Sequence, residues 1–198
     1  MVFFLKKHLF FLLNFLLINL LIINCSPKKE KNELTKNIIT LTLYSYLVDS
    51  PYSVYAIKDL DVSRFVGTWK EFKRIDNDFQ AGLKNVTAEY AIINSNSISV
   101  KNIGFSQTGN LSIIEGVGVI KNPEIKGFLK VSFSPLFYAD YYVLKIDNSY
   151  KNALIGGPIP NILWILSKDT TVSEEIEKEY SNYAKSIGYN SELLKQFR

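Results

Sequence analysis

The chain has 198 residues and a formal net charge of +4, from 23 Lys and Arg against 19 Asp and Glu, and 47% of it is hydrophobic. That charge is too small for the basic footprint of a nucleic-acid-binding protein. With one cysteine, Cys25, and one histidine, His8, the chain can form no internal disulfide, and catalysis through Ser-His-Asp or Cys-His and His-based zinc or haem sites are excluded beyond the first segment.

Residues 1–24 carry Lys6 and Lys7 followed by an apolar run from Leu9 to Ile23. This is the layout of a signal peptide; read as a membrane span the run is short and is interrupted by Asn14 and Asn19. Cys25 follows at once, and Leu21-Ile22-Ile23-Asn24-Cys25 resembles a lipobox, although Asn24 stands where a small residue is usual and Ile22 where Leu is usual. The resemblance implies a diacylglyceryl group on Cys25 and a new N-terminus there. Ser26, by analogy, directs such lipoproteins on to an outer membrane, where the chain would be anchored on the periplasmic face. Without Lys6 and Lys7 the charge falls from +4 to +2. Lys28, Lys29 and Lys31 belong to a solvated linker that could also lean on anionic headgroups. Residues 25–50 are thus expected to be the anchored N-terminus and linker, though the β-formers of Ile38–Tyr44 also suit an added edge strand.

From Pro51 onward, alternating runs of Val, Ile, Phe and Tyr are separated by turn clusters, the signature of short strands at regular spacing. Eight strands are expected near residues 67–75, 85–94, 97–104, 111–120, 126–134, 140–147, 151–156 and 162–168. The turn-forming stretches Asn94-Ser95-Asn96, Gln107-Thr108-Gly109-Asn110 and Asp147-Asn148-Ser149 are too short for helical crossovers. Neighbouring strands therefore pair antiparallel, and eight can close into a barrel around one small ligand. The fold class is all-β, an eight-stranded antiparallel up-and-down β-barrel. One C-terminal α-helix is expected to pack outside it: Thr171 and Glu174 form a capping box, Ile176, Tyr180, Tyr183, Ala184 and Ile187 recur at helical spacing, and Gly188 fits its end.

Asp61-Val62-Ser63-Arg64-Phe65-Val66-Gly67-Thr68-Trp69-Lys70-Glu71 resembles the lipocalin signature, in which a helical turn runs into Gly-x-Trp on the first strand. Asp140-Tyr141-Tyr142-Val143 with Asp147, and Leu163-Trp164-Ile165-Leu166-Ser167-Lys168, resemble the family's two later blocks, in the same order. Gly82–Tyr90, Leu129–Phe133 and Ala153-Leu154 before Gly156-Gly157-Pro158 are similar to the bacterial, outer-membrane lipoprotein branch. The likeness covers residues 51–198, the lipocalin domain. Lys70 replaces the Tyr that often follows the signature Trp, and Lys168 replaces the Arg after the last strand. The resemblance implies that Gly67, Trp69 and Lys168 close one end of the barrel, with the cation across the indole.

By strand alternation Leu129, Val131 and Phe133 share one face, Trp164, Leu166 and Lys168 another, and Ile98, Val100 and Asn102 a third. Small barrels can be filled by their own side chains, but the resemblance implies a cavity. Tyr90, Asn102, Leu129, Val131, Phe133, Tyr141 and Trp164 are the expected ligand-facing residues, with Asn102 and the tyrosine hydroxyls orienting a polar head group. Phe79, Leu83, Phe137 and Tyr138 lie in loops that either rim the mouth or merely pack. Isolated strand carboxylates such as Glu71, Glu89 and Glu115 are expected to be solvated or bonded to neighbours, and no phosphate-binding Gly loop occurs. The expected function is therefore not enzymatic and needs no cofactor or metal. It is membrane-tethered binding, transport or storage of a fatty acid or lysophospholipid. The alternative is a structural or interaction lipoprotein of the envelope with a packed barrel. The sequence leaves a homodimer open.

Overall fold

The computed structural model describes residues 49–134 and 137–198. The expected signal peptide, Cys25 and the linker through residue 48 lie outside the described residues.

The chain enters through a 3-10 turn, Pro51–Tyr55, and a short helix, α1 (Val62–Phe65). Asp61 caps α1 by accepting from the amides of Ser63 and Arg64, which satisfies donors that have no partner inside so short a helix. Eight strands follow: β1 (Gly67–Arg74), β2 (Lys84–Asn94), β3 (Ser97–Phe105), β4 (Leu111–Asn122), β5 (Ile125–Ser134), β6 (Phe137–Ile146), β7 (Asn152–Gly156) and β8 (Leu163–Ser167). Each pairs with its sequence neighbour, and β8 returns antiparallel to β1, closing the barrel. Phe137, expected in a loop, instead pairs with Ser134 at the start of β6.

Alternation along the strands produces two cores. Facing inward, Trp69, Ala88, Tyr90, Ile98, Val100, Ile120, Leu129, Val131, Val143, Ile155 and Leu166 form the inner cluster, with Leu60 and Phe65 beneath them. Facing outward, Phe128, Tyr142, Leu144, Leu154, Leu163 and Ile165 pack against Tyr180 and Ala184 of the second helix, α2 (Glu174–Ser186). Strands β7 and β8 are consequently covered on both faces and read as continuous apolar runs, Ala153-Leu154-Ile155 and Leu163-Trp164-Ile165-Leu166. The β3–β4 side is covered only from within and alternates cleanly.

The start of α2 differs from the capping box expected at Thr171. The N-cap is Ser173, whose Oγ accepts from the Ile176 amide at 3.3 Å. Val172 packs against the outer core and Ser173 is itself extended (φ −67°, ψ 150°), so the cap falls to the hydroxyl directly before the first helical residue. Gly188 ends the helix as expected, at φ +97°, with its amide on the Lys185 carbonyl.

Strands β1 and β2 pair only over Gly67–Lys70 on β1. Beyond that point they part, and the C-terminal tail enters between them. Arg74 and Lys195 exchange backbone hydrogen bonds of 2.9–3.0 Å, and the Asn85 amide donates to the Phe197 carbonyl at 2.8 Å. The tail thus satisfies backbone groups that the splayed strands would otherwise leave open.

Candidate functional site: the barrel interior

At one end the interior is plugged. Gly67 opens β1 at φ +111°, a conformation that side chains resist, and turns the chain from α1 into the barrel wall. Trp69 is fully buried, donates from Nε1 to the Phe65 carbonyl at 2.7 Å, and has its ring centroid 5.3 Å from that of Phe65. The Nζ of Lys168 lies 4.9 Å from the Trp69 centroid and donates to the carbonyls of Arg64 (2.7 Å) and Val66 (3.0 Å). Burial, with a smaller push from Arg64, lowers the Lys168 pKa. A single cation thus ties the end of β8 to the entry turn and the indole face.

Above the plug, Tyr90 of β2 and Tyr141 of β6 reach each other across the lumen. Their hydroxyls are 2.9 Å apart, and the Tyr90 ring stacks on Phe65. The strands that carry them are four apart in the closed order, so the pair spans the interior as a polar crossbar. Burial, partly offset by the Tyr141 hydroxyl, pushes the Tyr90 pKa up to about 12. Burial and the neighbouring Tyr90 raise Tyr141 well above its ordinary value. Both hydroxyls are neutral donors and acceptors across the physiological range.

Exposure of the inner wall changes along the barrel axis. Trp69, Ile98, Leu129 and Val143 are fully buried. Toward the other end, Asn102, Ile114, Phe133 and Trp164 occupy inward positions by register and yet are only half-buried. Ala139, opposite the inward Val131, is exposed. On β4 the inner positions include Gly118, where a Cβ would stand 3.2 Å from Ile98 and 3.3 Å from Leu129. The missing side chain lets its neighbours lie flat against the wall. The expected residues Leu129, Val131, Phe133 and Trp164 all belong to, or pack on, the inner cluster. Trp164 also donates from Nε1 to Gln80 Oε1 at 2.7 Å. Of the four residues expected in loops, Phe79 is exposed, Tyr138 is exposed but lies in β6, Leu83 is half-buried and approaches Gly104, and the Phe137 side chain lies outside the described residues.

One feature of the inner wall escapes strand alternation. Glu71 pairs with Leu166, and Arg74 with Trp164, and between them β1 bulges. Phe72 and Lys73 both turn outward, the first into the outer core and the second onto Glu177 of α2. Glu71 and Arg74 therefore share the inner side, where they form an ion pair with side chains 3% and 0% exposed. Nη2 of Arg74 donates to the carbonyls of Gln80 (3.1 Å) and Leu83 (2.9 Å), and its guanidinium lies 3.7 Å over the Phe197 ring. Burial pushes the Glu71 pKa up to about 7 against the opposing pull of Arg74 and Gln80. Glu71 was expected to be solvated or bonded to a neighbour; it is bonded, and it is not solvated. Spacing of three on a strand normally places two residues on opposite faces, so only the bulge reveals the pair.

A closed, up-and-down barrel of eight strands, plugged at one end and with inward side chains that become more exposed toward the other, is an architecture that can hold one small molecule inside its sheet. The family model described as "Lipocalin-like domain" matches residues 60–198, and the chain belongs to the lipocalins. It is 35% identical over 159 residues to "Outer membrane lipoprotein Blc" of Vibrio cholerae, spanning 79% of this chain and 93% of that protein. It is also 35% identical over 141 residues to the protein of the same name in Escherichia coli K12, spanning 71% and 80% respectively. This similarity places the chain among lipid-anchored lipoproteins of the outer membrane. Among solved structures, lobster apocrustacyanin A1 shares the fold, with a TM-score of 0.59, 19% identity and coverage of 69% of this chain and 78% of its own. Lipocalins generally bind and transport small hydrophobic molecules and do not catalyse reactions.

Proposed function

We propose that this protein is anchored through an acylated Cys25 and binds a single-chain lipid, a fatty acid or a lysophospholipid, in the upper part of the barrel. In this reading residues 1–24 are the signal peptide and residues 25–50 the tether. The supporting observation is the gradient of the inner wall. Residues that face inward would be fully covered in a filled barrel, but Asn102, Ile114, Phe133 and Trp164 are half-buried. Their surface is largely apolar with a few polar groups, the composition of small-molecule pockets. Leu129, Val131, Phe133 and Trp164 would line the acyl chain. The Tyr90–Tyr141 crossbar supplies polar contacts at its inner end, Asn102 supplies one nearer the mouth, and Trp69 with Lys168 keeps the far end shut.

The test is titration of delipidated full-length protein with lysophospholipid and with fatty acid, followed through Trp164 emission, in the wild type and in Ile114→Trp. Saturable binding by the wild type and at least tenfold weaker binding by the filled variant are expected. An unresponsive wild type across these lipid classes rejects the reading and favours an interaction lipoprotein with a packed interior.

A further inference from the structure

We infer that the outer face of β3 and β4 at the barrel mouth is a docking surface for a lipid bilayer, so that the open end rests on the membrane that holds the tether. The inference rests on the proposed anchoring through Cys25 and is independent of what fills the lumen.

Strand register fixes this surface. Ile103 and Phe105 alternate with the inward Asn102 and Gly104, and their partners across the ladder are Ile113 and Leu111, which makes one apolar block beside the β3–β4 turn. Phe105, Leu111 and Ile113 are 41%, 53% and 36% exposed. No charged residue occurs between Lys101 and Glu115, so the block and its turn can leave water without stripping an ion. The next outward row toward the plug is the reverse. Glu89, Lys101 and Glu115 are register partners across three strands, and Lys101 Nζ lies 3.9 Å and 4.0 Å from the two carboxylates. From Lys101 to Phe105 a strand advances about 13 Å, or about 10 Å along the axis of a tilted barrel. This matches the depth of roughly 5–10 Å to which apolar faces enter the headgroup boundary of a bilayer.

Two further observations select a bilayer as the occupant. In an up-and-down barrel the turns alternate between the two ends, so those after β1, β3, β5 and β7 all lie away from the Trp69 plug. The described chain begins at that same end, where Ser50 Oγ donates to the Pro158 carbonyl in the β7–β8 turn at 2.9 Å. A tether that joins the domain there presents the mouth to its own membrane at high effective concentration, and a modest apolar surface then suffices. The rim also repeats the chemistry of the block. Phe79 after β1, Tyr138 at the start of β6 and Ile159 after β7 are 52%, 46% and 53% exposed. A laterally continuous surface meets all of them together with β3 and β4, whereas a protein seated on β3 and β4 alone does not. The plug end exposes Ile92 and Ile93, but the tether does not join there, which makes Ile93 the natural control.

The experiment reconstitutes the protein, expressed from the full chain and processed by the cell, into vesicles of phosphatidylethanolamine and phosphatidylglycerol, with or without bromine on the upper carbons of the acyl chains. Phe105→Trp and Ile93→Trp are compared with the wild type, whose Trp69 and Trp164 set the background emission. Both positions are exposed, so neither substitution disturbs a core. Bromine should quench the emission added at position 105 at least about threefold more than that added at position 93, because only the former reaches the acyl boundary. Equal quenching, or stronger quenching at position 93, overturns the docking surface while leaving the anchor intact. Emission at position 105 that is shifted to the blue but indifferent to bromine means that protein covers the block, and also overturns it. The covering protein is a second copy if the shift grows with protein density in the vesicle, and residues 38–44 of the same chain if it does not. Failure of the wild type to float with the vesicles removes the proposed anchoring together with the docking. Lipid binding in the lumen is read separately, by the titration given above.

Discussion

Glu71 and Arg74 stand three residues apart on β1 and both face the barrel interior, because the strand bulges between Glu71 and Lys73. A bulge adds one residue to one strand of a pair and so shifts the phase of everything after it. Here it converts an arrangement of opposite faces into a buried ion pair on one face, and it also delivers Lys73 to Glu177 on the outer helix.

This pair should make stability depend on pH. The Glu71 carboxyl goes from an ordinary 4.5 to about 7 on folding, with burial the main cause, Arg74 and Gln80 opposing and Asp76 adding slightly. Between these values the folded chain keeps a proton that the unfolded chain has released. Its contribution is complete below pH 4.5 and is lost as pH rises through about 7. A shift of this size corresponds to about 3 kcal/mol. Urea unfolding from pH 4.5 to 8 should show the decline in wild type, and Glu71→Gln should be flatter over the same interval. Identical slopes would exclude Glu71 as the source.

The tyrosine crossbar should behave as a coupled unit. Tyr141→Phe leaves the Tyr90 hydroxyl buried without its partner 2.9 Å away, at a cost of about 1–3 kcal/mol. Removing both hydroxyls leaves nothing unsatisfied, so the double variant should be no less stable than either single one. A double-mutant cycle by denaturant unfolding measures the coupling, and strictly additive losses would show that the two rings act independently.

At the plug, Lys168→Ala removes two hydrogen bonds to carbonyls and the cation over Trp69. A loss of about 2–3 kcal/mol is expected. Lys168→Arg keeps the charge and adds a planar surface for the indole, so it should restore the unfolding midpoint to wild type or above. A midpoint as low as that of the alanine variant would mean that the ring contact contributes nothing.

The helix start offers a direct comparison of two hydroxyls. Ser173→Ala should destabilise the protein by about 1 kcal/mol, the usual effect of losing an N-cap. Thr171→Ala should stay within about 0.5 kcal/mol, as for a surface position away from special contacts. Thermal unfolding of the two variants under one condition is sufficient, and the opposite ranking would return the cap to Thr171.

Sequence alone determined the barrel. Its eight strands, their antiparallel order and the outer helix follow from a period of two, from short turn clusters and from one amphipathic stretch, all of which are local properties of the chain. The inward placement of Leu129, Val131, Ile98 and Trp164 was legible for the same reason, since parity along a regular strand fixes the face once one residue is assigned. Tertiary structure decided whatever depends on a break in that regularity or on contacts between distant segments. The bulge at Phe72–Lys73 brings Glu71 and Arg74 to one side. Closure sets Tyr90 and Tyr141 opposite each other although 51 positions separate them, and the parting of β1 from β2 admits Lys195–Phe197. Burial of charge and the meeting of side chains across a lumen are set by the closed three-dimensional shape, and no local pattern of residues carries that information.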